Sequence, residues 1–414
     1  MSNSVLTVDM IAAKALALLD NNLVMAKTVD RTYEDEWNSN YNGYKVGDTI
    51  SIRRPALYTV RSGEVAQVQN SVEGKTTLVV DSMKGVDLQF GNKEMTLDID
   101  DFAERFLMSP MIQLANTVDR SLTGLYAQVP QWVGTPGQTI DSWADFAKGP
   151  QRMDEIAIPE GERRGILSPA DRYGLAGAFA VNQVNPAGSI VSDAISAAKI
   201  PAPIANLETY ASQNVQRLTV GTRVATAGAV NGSGQVTTYA LTKDTNTQSF
   251  PVKSFAAGAT IAAGEVFTID DVYDVNPVTK QTLPYLKQFV VMEAKTLDGS
   301  GEGSITISPP LITSGAYQTV SAAPLDSAGM DFLGTASTAY TQNMLYHKRA
   351  FALAVVPLEM PAAAVVKSRK SYKGLSARLI QAYDATNNTE FWRFDILYGV
   401  KCVDPRLAVR LSGT

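Results

Sequence analysis

Residue types that usually carry reaction chemistry are sparse in this chain of 414 residues, which has one histidine, His347, and one cysteine, Cys402. A Ser-His-Asp or Cys-His device would have to run through His347 alone. A two-histidine cluster or a Cys/His zinc centre lacks ligands, and a disulfide within the chain lacks a second thiol. His347 lies in Leu345-Tyr346-His347-Lys348-Arg349-Ala350-Phe351 without a nucleophile elbow beside it, so a hydrogen-bonded structural role is expected. Cys402, between Val-rich strand residues, reads as a small buried hydrophobe.

Three acidic groupings come next. Asp270, Asp271 and Asp274 are hard oxygen donors of the kind calcium takes, but the spacing lacks the glycine and distal glutamate of an EF-hand loop. They read as a charged strand end running into a turn at Asn276-Pro277. Asp298-Gly299-Ser300-Gly301-Glu302-Gly303 has the glycines of a phosphate cradle without the following Lys-Ser/Thr or a helix start, and reads as a hairpin loop. Asp98, Asp100 and Asp101 with Glu104 could form a paired-carboxylate site, but carboxylates at a helix start, favoured by its dipole, explain them more simply. Two basic clusters, Arg53-Arg54 with Arg61 and Lys367/Arg369/Lys370 with Lys373, are expected to meet acidic neighbouring subunits. No catalytic, cofactor-binding or metal-ligating residue is assigned; neither enzyme activity nor a cofactor is expected.

Composition agrees. Formal charge is −5, from 36 basic and 41 acidic residues, the wrong sign for a protein built to grip nucleic acid. With 45% apolar and 19% charged residues the chain can bury a core, and its length suggests two or three domains. Met10–Leu19 lacks the cationic lead-in of a signal peptide, and Phe351–Val366 is broken by Pro357, Glu359 and Pro361, so no membrane span is expected and the chain is read as soluble and intracellular when made.

The elements that would hold these residues follow from periodicity. Thr7 offers a cap, and Met10, Ala13, Leu16 and Ala17 recur at helical spacing up to Asn21-Asn22; with one apolar stripe and no core of its own, this helix needs a partner surface. Val46–Pro55 alternates as a half-buried strand, 56–77 reads as a long polar loop, and Lys75–Val80 and Gly85–Phe90 return as strands. The clearest helix lies at 98–128. Ser109-Pro110 marks a second start, and Met111, Leu114, Val118, Leu122 and Leu125 follow at steps of three and four; from 110 to 128 it would be roughly 28 Å long. Asp141–Ile156 and the segment from Ser168-Pro169 to about Ala180 read as helices, with Arg163–Leu167 a strand between them. Over 218–340 charged residues fall to 16 of 123 and tryptophan disappears, which marks a change of module. Turn pairs there separate the short β-prone runs Gln235–Leu241, Val266–Ile269, Gln288–Met292 and Ser304–Ile307, the pattern of a compact barrel or sandwich. Arg349–Val356, Ala377–Tyr383, Phe391–Val400 and Arg406–Leu411 are strand-like afterwards, so 218–340 is read as an insertion into an α+β domain.

Several stretches together resemble the major capsid (coat) proteins of short-tailed, Salmonella-phage-like bacteriophages, which carry the Hong Kong 97-type capsid fold. They are Gly47-Asp48-Thr49-Ile50 through Arg53-Arg54-Pro55, Leu114-Ala115-Asn116 with Val118-Asp119, and Gly264-Glu265-Val266-Phe267-Thr268-Ile269 with Val275-Asn276-Pro277 and Gln288-Phe289-Val290-Val291. Ile307-Ser308-Pro309-Pro310, Tyr346-His347-Lys348-Arg349-Ala350-Phe351-Ala352-Leu353 and Ile396-Leu397-Tyr398-Gly399-Val400 complete the set, spread in family order over nearly the whole chain. The resemblance implies an α+β Hong Kong 97-like fold with a long spine helix, an extended β-hairpin loop and an inserted all-β, barrel-like domain. It further implies an N-terminal arm (1–40), an extended loop with supporting strands (41–90) and a peripheral domain with the spine helix (91–135). The axial domain would come from 136–217 and 341–390, the inserted domain from 218–340, and strands returning to the peripheral domain from 391–414.

The implied function is self-assembly into an icosahedral virion shell around phage double-stranded DNA, through a procapsid built in the bacterial host cytoplasm. The implied partners are copies of the chain in hexamers and pentamers, a scaffolding protein during assembly, a portal protein at one vertex, and packaged DNA contacted weakly. Scaffolding contact through the arm would fall near Asp9, Lys14 and Asp20. The alternatives are another virion structural protein, tail or fibre, and an encapsulin-type shell protein.

Overall fold

The computed structural model describes residues 8–34, 37, 47–61, 63–66, 68–91, 108–182, 200, 203–224, 228–362, 366–372, 375–384 and 387–414. The predicted Thr7 cap, the carboxylates Asp98 to Glu104, and Lys373 lie outside them. The chain is a mixed α+β protein that divides into two compact units, one of Met1–Ile50, Thr77–Thr123 and Phe351–Lys401, the other of Ser51–Thr76, Gly124–Ala350 and Cys402–Thr414.

The first unit is built on a five-stranded sheet ordered Phe351–Val356, Thr389–Cys402, Leu375–Asp384, Val366–Tyr372, with Ser82–Gly91 also pairing along Thr389–Cys402. The sequence marks Val366–Tyr372 only by its basic cluster, without a strand signal. Its charged residues stand at a sheet edge, where they discourage pairing with other chains and leave little hydrophobic alternation to detect. The long helix Met108–Thr123 buries Met111, Leu114, Val118 and Leu122, the predicted stripe. The chain continues from it as a 3-10 segment, Gly124–Gln128.

The N-terminal helix Val8–Asn22 finds its partner surface inside its own chain. It buries Ala12, Ala15, Leu16 and Leu19 and packs on the long helix and on the strands Val366–Tyr372 and Leu375–Asp384. The chain after it is fastened by polar groups. Asp119, fully buried on the long helix, accepts the N–H groups of Val24 (2.7 Å) and Ala26 (3.0 Å). Burial pushes the Asp119 carboxyl above the usual carboxylate range, and these backbone donors act against that shift. Further on, Asp30 exchanges backbone hydrogen bonds with Phe351 and Leu353, and Glu34, ion-paired to Arg31, accepts the N–H of Val355.

The second unit contains two larger sheets. The first is ordered Trp132–Val133, Ala408–Leu411, Asn343–His347, Arg163–Leu167, Leu207–Ala211. The helices Trp143–Glu155 and Pro169–Asn182 belong to this unit, and Phe146, Met153 and Leu175 share a core with Leu345, Val409 and Leu411. Ser142 and Ser168 cap the two helices by accepting the N–H of Asp145 and Asp171. The second sheet has six strands, ordered Met330–Phe332, Val266–Val275, Thr282–Val291, Gly303–Ser308, Gln248–Lys253, Ala229–Val230. Its core centres on Phe250, Phe267, Phe289 and Phe332. The predicted strand over Gln235–Leu241 is absent: one helical turn, Tyr239–Thr242, ends that stretch, and the Tyr239 ring is taken up in a stack described below. Arg349 and Arg406, expected to begin strands, lie instead in 3-10 turns that precede Phe351–Val356 and Ala408–Leu411.

Backbone ladders and buried cations tie the second sheet to its surroundings. Arg217–Thr219 pairs with Ala339–Thr341, so the chain enters and leaves the six-stranded segment through one antiparallel ladder. Just inside it, Arg223 and Glu265, both fully buried, form a 2.6 Å ion pair, and Arg223 also donates to the carbonyls of Leu333 and Gly334. Arg410, equally buried, donates to the carbonyls of Val129 and Gly264 and to Oε1 of Gln342. Replacing Asp119 by Ala strands the part-buried N–H of Val24 and the buried N–H of Ala26 at roughly 1–2 kcal/mol each, so urea unfolding should show a loss of about 2–4 kcal/mol. Asp119→Asn, which keeps one acceptor in place, should lose less.

Candidate functional site

Among the described residues no group of three or more His, Cys, Asp and Glu side chains could hold a metal ion, and no helix is long and apolar enough to cross a membrane. The predicted chemistry-bearing residues are occupied elsewhere. His347 is buried in the centre of a sheet, accepts the Arg349 N–H at Nδ1 (3.2 Å), and is pushed below its usual pKa by that burial. Cys402 is buried, and the chain has no second cysteine with which it could form a disulfide.

Asp274 is buried between Lys287 Nζ (2.7 Å) and Gln131 Nε2 (3.0 Å), and no calcium-like grouping forms with Asp270 and Asp271. The expected turn at Asn276-Pro277 is present, with Asn276 Oδ1 accepting the N–H groups of Val278 and Thr279. In the glycine-rich loop, Asp298 accepts the N–H groups of Ser300 and Glu302, both at 2.8 Å, and these donors hold its carboxyl below the usual range. Donors that would cradle a phosphate are thus spent on the loop's own carboxylate. Asp20 is buried and pairs with Lys27, while Lys14 is exposed.

What stands out is the loop 54–74. Val60, Val65 and Val68 are 98%, 81% and 94% exposed, and Tyr58 is exposed beside them. Valines favour half-buried pleated surfaces, so this row of exposed apolar groups on an extended segment marks an interaction surface. The two limbs of the loop are joined by side chains. Gln69 accepts the Thr59 N–H at Oε1 (2.9 Å) and returns a hydrogen bond from Nε2 to the Thr59 carbonyl (2.6 Å), and the Tyr58 hydroxyl donates to Ser71 Oγ.

The root of the loop is gripped by one phenol. The Tyr317 hydroxyl accepts the Leu57 N–H (3.0 Å) and donates to the Val72 carbonyl (2.6 Å), so both limbs converge on a single oxygen. Its ring stacks on Tyr239 at 3.6 Å between centroids, with 5° between planes. Gly74 closes the root: its carbonyl accepts the Arg54 N–H (2.8 Å), and a Cβ there would meet the Lys243 carbonyl oxygen at 2.4 Å and the Tyr239 hydroxyl at 2.6 Å. Of this arrangement the sequence signalled only the loop; tyrosines at 239 and 317, far from it along the chain, carried no marker of the clamp.

The basic residues predicted to meet partners are also placed. Arg53 lies 3.7 Å from Glu73 with both side chains largely exposed, Arg61 donates to the Gly63 carbonyl, and Lys367 and Arg369 donate to the carbonyls of Pro361 and Leu358. Tyr317→Phe removes the oxygen shared by the two limbs and keeps the ring. In hydrogen exchange of the unassembled protein, the Leu57 amide should then lose at least tenfold in protection while amides of the six-stranded sheet are unchanged.

The family model for "P22 coat protein - gene protein 5" matches residues 1–413. A "Major capsid protein" of Acyrthosiphon pisum secondary endosymbiont phage 1 is 24% identical, covering 95% of this chain and 94% of that relative. Solved structures similar to the chain include one titled "Mycobacterium phage Che8" (11% identity, 94% of this chain and 90% of that one, TM-score 0.49). Another is the "CUS-3 coat protein I-domain" (24% identity, 26% of this chain and 95% of that one, TM-score 0.19). Matched over its length by that model, the chain belongs to the P22 coat protein family and is a phage major capsid protein.

Proposed function

We propose that this chain tiles the icosahedral shell by laying the loop 54–74 on a neighbouring copy, with Val60, Val65 and Val68 as the apolar contact and Tyr317 holding the loop in the direction that contact requires. The observation that carries this reading is the loop itself: apolar residues left in water at its tip, and a polar clamp fixing its root. Such an arrangement costs an isolated subunit solubility and is recovered only when many copies bury the same patch through repeated heterologous contacts.

The finer assignments belong to the same proposal. Residues 1–40 form the arm, 41–90 the extended loop with its strands, 91–135 and 391–414 the peripheral domain, 136–217 and 341–390 the axial domain, and 218–340 an inserted β domain. Copies assemble with a scaffolding protein and a portal in the host cytoplasm, the shell then encloses double-stranded DNA, and the subunit performs no catalysis. The net charge of −5 supports a container in place of a grip, because a strongly cationic lining would hold packaged DNA in a salt-dependent embrace and oppose its release.

Electron microscopy of the purified protein tests the reading. Closed polyhedral shells are expected, and trimers, tubes or fibres would overturn it. Val60→Asp combined with Val68→Asp should abolish shells while leaving the thermal midpoint of the unassembled subunit within about 2 °C, because both side chains touch little within the chain.

A further inference from the structure

We propose that the cavity at the root of the loop 54–74 is a binding site for one small oxyanion, a phosphate-sized ion or a single carboxylate presented by another copy of this chain. The cavity measures about 50 Å³. One water needs ~10–15 Å³ on this measure, so the space is large enough for a small oxyanion.

Its walls are largely apolar, and the charge they carry is mainly cationic in a chain that is acidic overall. Lys280, Lys287 and Arg406 line it with one carboxylate, Asp274. Two of these charges are already matched. Lys287 is committed to Asp274, and Arg406 gives Nε and Nη2 to Asp404 at 2.9 and 2.7 Å, two of the five donors a guanidinium carries. Lys280 is different. Its ammonium donates to the Ala316 carbonyl, and no carboxylate stands within ion-pair distance of it among the described residues. Burial lowers its pKa, and the Arg406 cation lowers it further, which is the behaviour of an ammonium facing a like charge without a counter-ion.

A fourth cation adds to the excess. Arg54 is near enough to Asp404 to help Arg406 hold that carboxyl ionised against burial, and the buried Nε of Arg54 has no hydrogen-bond partner among the described residues. Three cations thus line the cavity with one carboxylate, and behind Arg406 stand Asp404 and the further cation Arg54. An anion there supplies the missing charge with short, charge-assisted hydrogen bonds from Lys280 and Arg406. Because Leu57 and Tyr317 line the same space, the anion would also brace the clamp at the loop root.

The test is calorimetric titration of the unassembled full-length protein with inorganic phosphate at constant ionic strength set by chloride. Saturable binding of one phosphate per chain is expected, weakened at least tenfold by Lys280→Gln and largely kept by Lys280→Arg. Circular dichroism should show both variants folded. Absence of saturable binding in the folded wild type, unchanged affinity in Lys280→Gln, or an equal response to added chloride overturns the proposal. Repeating the titration on assembled shells separates the sources. Phosphate uptake retained by shells assigns the site to a free anion, and uptake lost on assembly assigns it to a carboxylate of a neighbouring copy.

Discussion

The turn at Gly264 and Glu265 is held by two buried guanidinium groups, and much of the second unit depends on that grip. Arg410 takes the Gly264 carbonyl together with those of Val129 and the side chain of Gln342, and the next residue, Glu265, is the ion-pair partner of Arg223. Glu265 in turn accepts the N–H groups of Gly221 and Ala262. The strand Ala408–Leu411, the ladder through which the chain enters the six-stranded segment and the start of that segment's longest hairpin therefore meet at one point. Taking two cations out of water is expensive and is repaid only when every donor is used with good geometry, so this junction tolerates one arrangement. No carboxylate among the described residues pairs with Arg410. Carbonyl oxygens and the nearby rings of Trp132 and Tyr126 replace its hydration. Gly264 itself sits at a φ of 88° with Ala127 and Tyr126 about 3 Å from where a Cβ would stand, so the turn admits no larger residue without displacing them.

Asp119 plays the corresponding part in the first unit. There a buried anion collects backbone donors from the segment that follows the N-terminal helix, and a helix that could not stand alone becomes part of a packed layer. In both units the buried charges are joined to backbone groups far away along the chain. They specify which surfaces meet, while the apolar clusters supply most of the stabilisation.

This division explains what could be read beforehand. The long helix, the helix over Asp141–Ile156, the helix opened by Ser168-Pro169, and the strands around Val266, Gln288 and Ser304 are legible because periodicity and helix-start signals are local. The strand Val366–Tyr372 was hidden because edge position favours lysine and arginine over alternation, and Gln235–Leu241 misled because β-prone residues were recruited to a turn by the Tyr239 stack. The exclusion of familiar catalytic devices rested on residue counts and needed no structure. The clamp at Tyr317, the grip of Arg410 and the anchoring by Asp119 left no trace, since each joins residues far apart in sequence and each anchor is an ordinary residue until its partners are known.

Asp298 carries a consequence of a different kind. By turning the N–H groups of its loop inward, it leaves a glycine-rich surface segment with fewer free backbone donors. For a solitary protein that economy would matter little. In a particle where every surface feature recurs with each subunit, a faintly adhesive loop becomes a multivalent one, able to glue particles together or trap misplaced subunits. A carboxylate that takes up its own loop's donors removes one such source of adhesion from every copy.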